Sequence, residues 1–351
     1  MRPAAWWKLC WRNRFRIHPL RWPMAFLISV INPFNSVAGA AQRVRYGRLI
    51  DQTRITEPPV FIIGHWRSGT TYLHELMHLD ERFVTPTTYQ CFAPHHFLLT
   101  QWWMHTLGSW LMPKQRPMDN MAAGWDRPQE DEFALLTLGA PTPYFRMAFP
   151  NEPPPYVEFL DMRGCSADDQ AQFERALVDF VKLLTFASGG KPLLLKSPPH
   201  TGRIEVLARL FPGAKFIHIT RNPYSLFPST TRLWRSIDEV QGLQFPKYDN
   251  IDDYVFECLT RMYRGFEDQR QRLPAESIYD IRYEDLVTDP AGEIGKIYAA
   301  LNLGDYAGVR NAITLAAGKQ KDYKTNKHEL DETLKAKIRE RWADYFERYG
   351  Y

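Results

Sequence analysis

The chain has 351 residues, 44% hydrophobic and 24% charged, with a formal net charge of +4. That excludes wholesale disorder, leaves room for one large domain or two small ones, and gives no argument for nucleic acid as a partner. Cys10, Cys91, Cys165 and Cys258 lie far apart with no CxxC spacing, so neither a zinc site nor a disulfide scaffold is expected, and a reducing, cytoplasmic compartment is.

The first 50 residues carry Arg2, Lys8, Arg12, Arg14, Arg16, Arg21, Arg43, Arg45 and Arg48 and no acid, with Trp6, Trp7, Trp11 and Trp22 interleaved. Between Arg21 and Arg43 lies an uncharged stretch, WPMAFLISVINPFNSVAGAAQ. Its Pro23, Pro33, Asn32, Asn35 and Gln42 argue against a spanning helix. Its long aromatic, Arg-rich lead-in argues against a secretory signal. Two readings stay open for residues 1–57. One is an arm lying in the interface at the inner face of the membrane, where cations meet anionic lipid and indoles favour the headgroup zone. The other is a helical arm packed on a main domain of residues 58–351.

From residue 58 short apolar strands alternate with helices. PPVFII (58–63) reads as a strand and 69–79 as a helix. KPLLLK (191–196) is a second strand with helical spacing after it. AKFIHIT (214–220) is a third, followed by a helix to about Arg235, and ESIYDIRY (276–283) is a fourth. Helices are also expected near 129–139, 168–187, 251–272 and 331–347, and the Pro-rich 141–155 reads as a surface loop or lid. This alternation predicts an α/β fold, a P-loop-like parallel sheet with helices on both faces.

GHWRSGTT (64–71) sits between the first strand and its helix, spaced Gly64-x-x-x-x-Gly69-Thr70-Thr71. Glycines let such a loop turn and aim its N–H groups at anionic oxygens. An ATP or GTP loop would carry Lys where Thr70 stands; here the cation is Arg67, inside the loop. The plain alternative is a tight strand–helix turn with threonines capping the helix.

RSGTT after a buried strand resembles the sulfotransferase family, with Arg in the loop as in its bacterial and tyrosylprotein-type members. LLLKSPPHTGRIEVLARLFPGAKFIHITRNPYSLFPS (193–229) and IRYEDLVTDP (281–290) are similar to further family segments, so the likeness covers about 58–330 in ordered pieces. The resemblance implies the sulfotransferase fold and the co-substrate 3′-phosphoadenosine-5′-phosphosulfate (PAPS), with no metal. It implies that Arg67, Ser68, Gly69, Thr70 and Thr71 hold the 5′-phosphosulfate, that Arg221 and Ser229 hold the 3′-phosphate, and that Tyr283 lies near the adenine. KDYKTNKH (321–328) looks like the family's basic closing segment, with Lys324 as a 3′-phosphate contact.

Sulfuryl transfer builds charge on the leaving bridging oxygen, where cations help most in the transition state. Arg67 and Lys196 end strands expected to be neighbours, and the resemblance implies that Lys196 bridges donor and leaving group. The general base departs from the family. The cytosolic His slot holds Pro198, with His200 displaced, and the tyrosylprotein-type Glu slot lies near Thr88. WDRPQEDEFALL (125–136) supplies Glu130, then Glu132, as candidates, one of which an apolar cleft beside Trp125 could hold. Acids opening a helix are also ordinary capping chemistry. His95 and His96 are rivals.

Trp66, Phe92, Phe97, Trp102, Trp103, Trp110 and Trp125 follow the loop, and the family builds its acceptor pocket there. They suggest an apolar hydroxyl acceptor, a lipid, isoprenoid or phenolic alcohol, although packing alone accounts for most of them. Two other classes fit parts of the chain. Thr70 argues against a P-loop kinase or other nucleotide-binding protein. The intact Arg67, Lys196, Arg221 and Ser229 argue against a non-catalytic membrane-associated protein that keeps the nucleotide fold.

Overall fold

A computed structural model of the chain describes residues 1–107, 124–319 and 330–351. The N-terminal part comprises α1 (Pro3–Arg12) and the long α2 (Trp22–Gln52), which runs through Pro33. Then follow β1 (Val60–Ile63), α3 (Thr70–Met77), α4 (Thr88–Phe92), α5 (Phe97–Leu107), α6 (Asp131–Leu138), α7 (Ala167–Ala187), β2 (Leu194–Lys196), α8 (Ile204–Leu210), β3 (Lys215–Thr220), α9 (Pro223–Gln241) and α10 (Ile251–Arg270). The chain closes with β4 (Ile278–Arg282), α11 (Tyr283–Thr288), α12 (Pro290–Leu301), α13 (Ala307–Lys319), α14 (Glu332–Arg341) and α15 (Ala343–Tyr349).

The four strands form one parallel sheet in the order β2-β1-β3-β4. β1 is buried along its whole length because the sheet is covered on both faces. Phe61 and Ile63 point into a cluster with Leu195, Phe216 and the α7 residues Leu177 and Phe180. Val60 and Ile62 point the other way, into a cluster with Leu73 and Leu76 of α3 and Ile294 and Ile297 of α12. The chain leaves β1 toward β2 on one side and returns to β3 on the other. The carboxyl ends of β1 and β3 therefore flank the crevice where open α/β sheets bind ligands.

The strands fall where the sequence places them, with shifts that have local causes. Pro198 and Pro199 force a 3-10 turn, Pro198–Arg203, before α8 can start. The C-terminal helix splits at Trp342, whose ring is buried between Phe227 and Phe256. The Pro-rich stretch 141–155 departs most from expectation. Pro143–Ala148 winds as a 3-10 turn with Tyr144, Phe145, Arg146 and Met147 buried, because Arg146 is clamped on Asp238 at 2.7 and 2.9 Å inside the protein. By length and apolar composition, Pro19–Gln52 is long enough to cross a membrane.

Burial holds several histidines below their ordinary value of 6.5, among them His65, down to about 3, and His95, down to about 4. The unfolded chain takes up these protons as pH falls below about 6.5, whereas the folded chain does not. Stability is therefore full above that pH and falls as acid is added, by up to about 1.4 kcal/mol per group for each pH unit in the window. For His95 the window runs from 6.5 to about 4. Urea midpoints measured across it should decline with acid, and His95→Gln should flatten the slope; an unchanged slope would contradict this.

Candidate active site

The loop between β1 and α3 is fixed by its backbone. Gly64 has φ +143°, and a Cβ there would lie 2.4 Å from the Ile219 carbonyl oxygen. Gly69 has φ +107°, and a Cβ there would stand 2.3 Å from the Tyr283 ring. Only glycine satisfies both the turn and the close approach. Arg67 is held left-handed at φ +69° without that freedom, strain of the kind that collects at functional sites. The Gly64 N–H donates to Thr201 Oγ1 at 2.8 Å, and Thr230 Oγ1 donates to the Trp66 carbonyl at 3.2 Å.

Gly69 is the N-cap of α3 and offers no side chain to cap it, so the first-turn N–H groups are not satisfied by the cap. Ser68 Oγ is buried with no hydrogen-bond partner, an arrangement that fits an anionic oxygen. The plain capping alternative therefore does not account for this loop. Arg67 Nε donates to Ser229 Oγ at 3.0 Å, and Arg221 Nη1 donates to the Arg67 carbonyl at 2.8 Å. The Arg221 guanidinium lies 4.3 Å over the Tyr283 ring, whose edge faces Gly69. Arg67, Ser68, Gly69, Arg221, Ser229 and Tyr283 thus meet in one cluster. Thr70 and Thr71 open α3 beside it, and Lys324 lies outside the described residues.

The acids at 130–132 make three pairs with the end of β2 and the turn that follows it. Glu130 Oε1 accepts from Lys196 Nζ at 2.8 Å. Asp131 Oδ2 lies 2.6 Å from His200 Nε2, and Glu132 accepts from both Arg203 nitrogens, Nη1 and Nη2, at 2.8 and 3.0 Å. Asp131, Glu132, His200 and Arg203 side chains are sealed at 0% exposure, whereas Glu130 keeps 11%. Glu130 is the N-cap of α6 but makes no capping bond with its side chain. The capping alternative therefore does not explain it.

Glu130 has a second partner that the sequence did not announce. Tyr144 OH donates to Glu130 Oε2 at 2.5 Å and accepts from Trp66 Nε1 at 2.8 Å. Burial and the nearby Glu130 charge push the Tyr144 phenol well above its usual range, so it stays a proton donor. Lys196 also reaches Thr71 Oγ1 at 3.3 Å. One ammonium therefore touches both the start of α3, beside the glycine loop, and the carboxylate.

Glu132 and His95 are not brought to this point. Glu132 is sealed on Arg203 and Thr142. His95 stands on Thr137 O at 3.3 Å, against Gly39 of α2, and His96 bonds Asn35 and Thr100. Tyr345 was also not foreseen: its hydroxyl accepts from the Arg221 N–H at 3.1 Å and donates to the Arg221 carbonyl at 3.2 Å, fixing the end of β3. Of the seven aromatics suggested for the acceptor pocket, Trp66 and Phe97 are buried, Trp103 and Trp125 half-buried, Phe92 and Trp102 exposed, and Trp110 lies outside the described residues. Among the described residues no group of three or more His, Cys, Asp or Glu is arranged to hold a metal ion.

The sequence profile described as the sulfotransferase family matches residues 58–307. Two curated relatives, both named omega-hydroxy-beta-dihydromenaquinone-9 sulfotransferase Stf3, come from Mycobacterium bovis and Mycobacterium tuberculosis. Each is 41% identical over 348 residues, covering 99% of this chain and 89% of its own. Among solved structures, sulfotransferase STF9 from Mycobacterium avium is similar in fold at TM-score 0.68 and 18% identity, covering 98% of this chain and 95% of its own. Sulfotransferase STF1 from Mycobacterium tuberculosis H37Rv is similar at TM-score 0.64 and 17% identity, covering 93% and 87%.

Glu132→Gln leaves the Arg203 guanidinium buried without a counter-charge, and should cost about 3–5 kcal/mol. Urea denaturation reads this directly, and a loss under about 1 kcal/mol would mean that the pair is not buried as described.

Proposed function

The chain belongs to the sulfotransferase family, and from that premise we propose that it moves a sulfuryl group from PAPS to the hydroxyl of an apolar acceptor, with Glu130 as general base. The observation that carries this reading is Lys196, which lies 3.3 Å from Thr71 Oγ1 and 2.8 Å from Glu130. Donor cradle and proton acceptor therefore share one cation.

In the proposed reaction the 5′-phosphosulfate sits on the N–H groups of residues 67–71 and the Ser68 hydroxyl. The 3′-phosphate sits with Arg221 and Ser229, and the adenine lies near Tyr283. The acceptor hydroxyl approaches Glu130. As its oxygen bonds to sulfur, its proton passes to Glu130, and the bond from sulfur to the bridging phosphate oxygen breaks to release 3′,5′-ADP. Protonating Glu130 removes the negative partner of Lys196, so the ammonium is freed toward the leaving oxygen as charge develops there. Tyr144 keeps donating to the other carboxylate oxygen and so holds the base in one orientation.

An apolar wall supports the acceptor class. Phe92 is exposed and meets Phe133 at 5.5 Å; Phe133 meets Tyr144 at 5.2 Å, and Tyr144 carries the hydrogen bond to Glu130. A ring-lined approach to a carboxylate suits a lipid or isoprenoid alcohol. An omega-hydroxylated dihydromenaquinone, the compound in the names of the Mycobacterium relatives, is the acceptor to try first. Residues 58–351 carry this chemistry and 1–57 form an arm, and four free thiols suit a reducing cytoplasm.

The deciding assay incubates the purified chain with ³⁵S-labelled PAPS and that alcohol. Labelled product should form, and Glu130→Gln should lower turnover about 100-fold or more while leaving 3′,5′-ADP affinity within twofold; undiminished turnover would remove Glu130 as base. Arg221→Ala takes away a charge-assisted bond and should weaken 3′,5′-ADP binding by about tenfold or more, beyond its effect on turnover. Calorimetry showing unchanged affinity would overturn that assignment.

A further inference from the structure

The polarity of α2 is inverted. The side chains it turns into the protein include Asn32 at 2% exposure and Gln42 at 4%, whereas Phe26 stands at 70% and Val37 at 71%. Asn35 and Gln42 are engaged there, Asn35 Oδ1 lying 3.0 Å from His96 Nε2 and the Leu98 N–H donating to Gln42 Oε1 at 2.9 Å, whereas Asn32 Nδ2 is buried without a hydrogen-bond partner. The outward face carries Phe26, Val30, Phe34 and Val37 at helical spacing, with Leu27 and Ile31 beside them. A helix folded onto a domain in water would bury the second set rather than the first.

The surroundings select one occupant for this face. Exposed Arg43, Arg45 and Arg48 follow the apolar stretch, exposed Lys8, Arg12, Arg14 and Arg16 precede it, and Trp7, Trp11 and Trp22 are about half or more exposed at its leading end. No acid occurs in residues 1–50. A second copy of the chain would bring cations against cations, whereas an anionic lipid surface complements them. A spanning pose would undock Asn35 and Gln42 from their partners and set both in hydrocarbon.

We propose that α2 lies flat on an anionic bilayer, its Phe26–Val30–Phe34–Val37 face sunk among the acyl chains and the flanking arginines among the headgroups. The docking stands on this surface alone. Its consequence for the acceptor rests on the lipid-alcohol reading above. Phe34 packs 5.6 Å from His96, in the turn that follows Phe92, so the face adjoins the mouth of the Phe92–Phe133 wall. A bilayer-borne alcohol then reaches Glu130 without crossing water.

The test is flotation of the full chain with phosphatidylcholine vesicles, with and without phosphatidylglycerol, set beside turnover on detergent-dispersed alcohol. The intact chain should float with the phosphatidylglycerol vesicles and release as salt rises. F26S/V30S/V37S should lower partitioning at least tenfold while 3′,5′-ADP affinity and detergent turnover hold, which shows that the variant is folded. R45Q/R48Q should weaken only the dependence on phosphatidylglycerol. No flotation of the intact chain, equal flotation of the triple variant, or a dimer that the triple variant converts to monomer would each overturn the docking. Flotation as expected with no sulfated product under any condition would instead overturn the transfer reading and leave the docking standing.

Discussion

Three buried pairs between the start of α6 and the end of β2 with its following turn hold the site together: Glu130 with Lys196, Asp131 with His200, and Glu132 with Arg203. Burying six ionisable side chains is costly unless each finds its partner, so this match leaves little freedom in how α6 meets the sheet. Two pairs are sealed and serve as an anchor. The third keeps a little exposure at Glu130, and its cation extends to the first turn of α3. Anchor and proposed base are thus built from one run of three acids, with burial setting Glu130 apart from the other two.

The glycine loop after β1 is a second, separately braced unit. Its strained Arg67 is held from two sides, by Ser229 on α9 and by Arg221 at the end of β3. Arg221 is in turn held by Tyr345 from the last helix. The C-terminal residues therefore act on the loop through the backbone of β3, which couples the end of the chain to the site. Such a brace removes alternative loop conformations, and preorganised donors are what the proposed transfer needs to stabilise developing charge.

Much of this was legible in the sequence. Short apolar runs bounded by Pro or Gly placed the first three strands, alternation placed the fourth at ESIYDIRY, and the Gly64–Gly69 spacing placed the loop, because all depend on local chemistry. The run of acids at 130–132 was visible too, but its division of labour was not. That depends on His200 and Arg203 arriving from a segment about 70 residues away. Tyr144 was hidden because proline-rich composition points to surface loops, while the Arg146–Asp238 clamp draws this one inward. The polar residues of α2 were noticed as an obstacle to spanning. Only the three-dimensional arrangement reveals that they face the protein and leave the apolar side outward.

The claim on which the account turns is that Lys196 and Glu130 act as one unit, the lysine serving the donor only as the carboxylate takes the acceptor's proton. A double-mutant cycle on transfer turnover with Lys196→Met and Glu130→Gln tests it most directly. The account predicts that the double variant is about as slow as the slower single variant, because either change already disables the unit. Losses that multiply would show two groups working independently and contradict it.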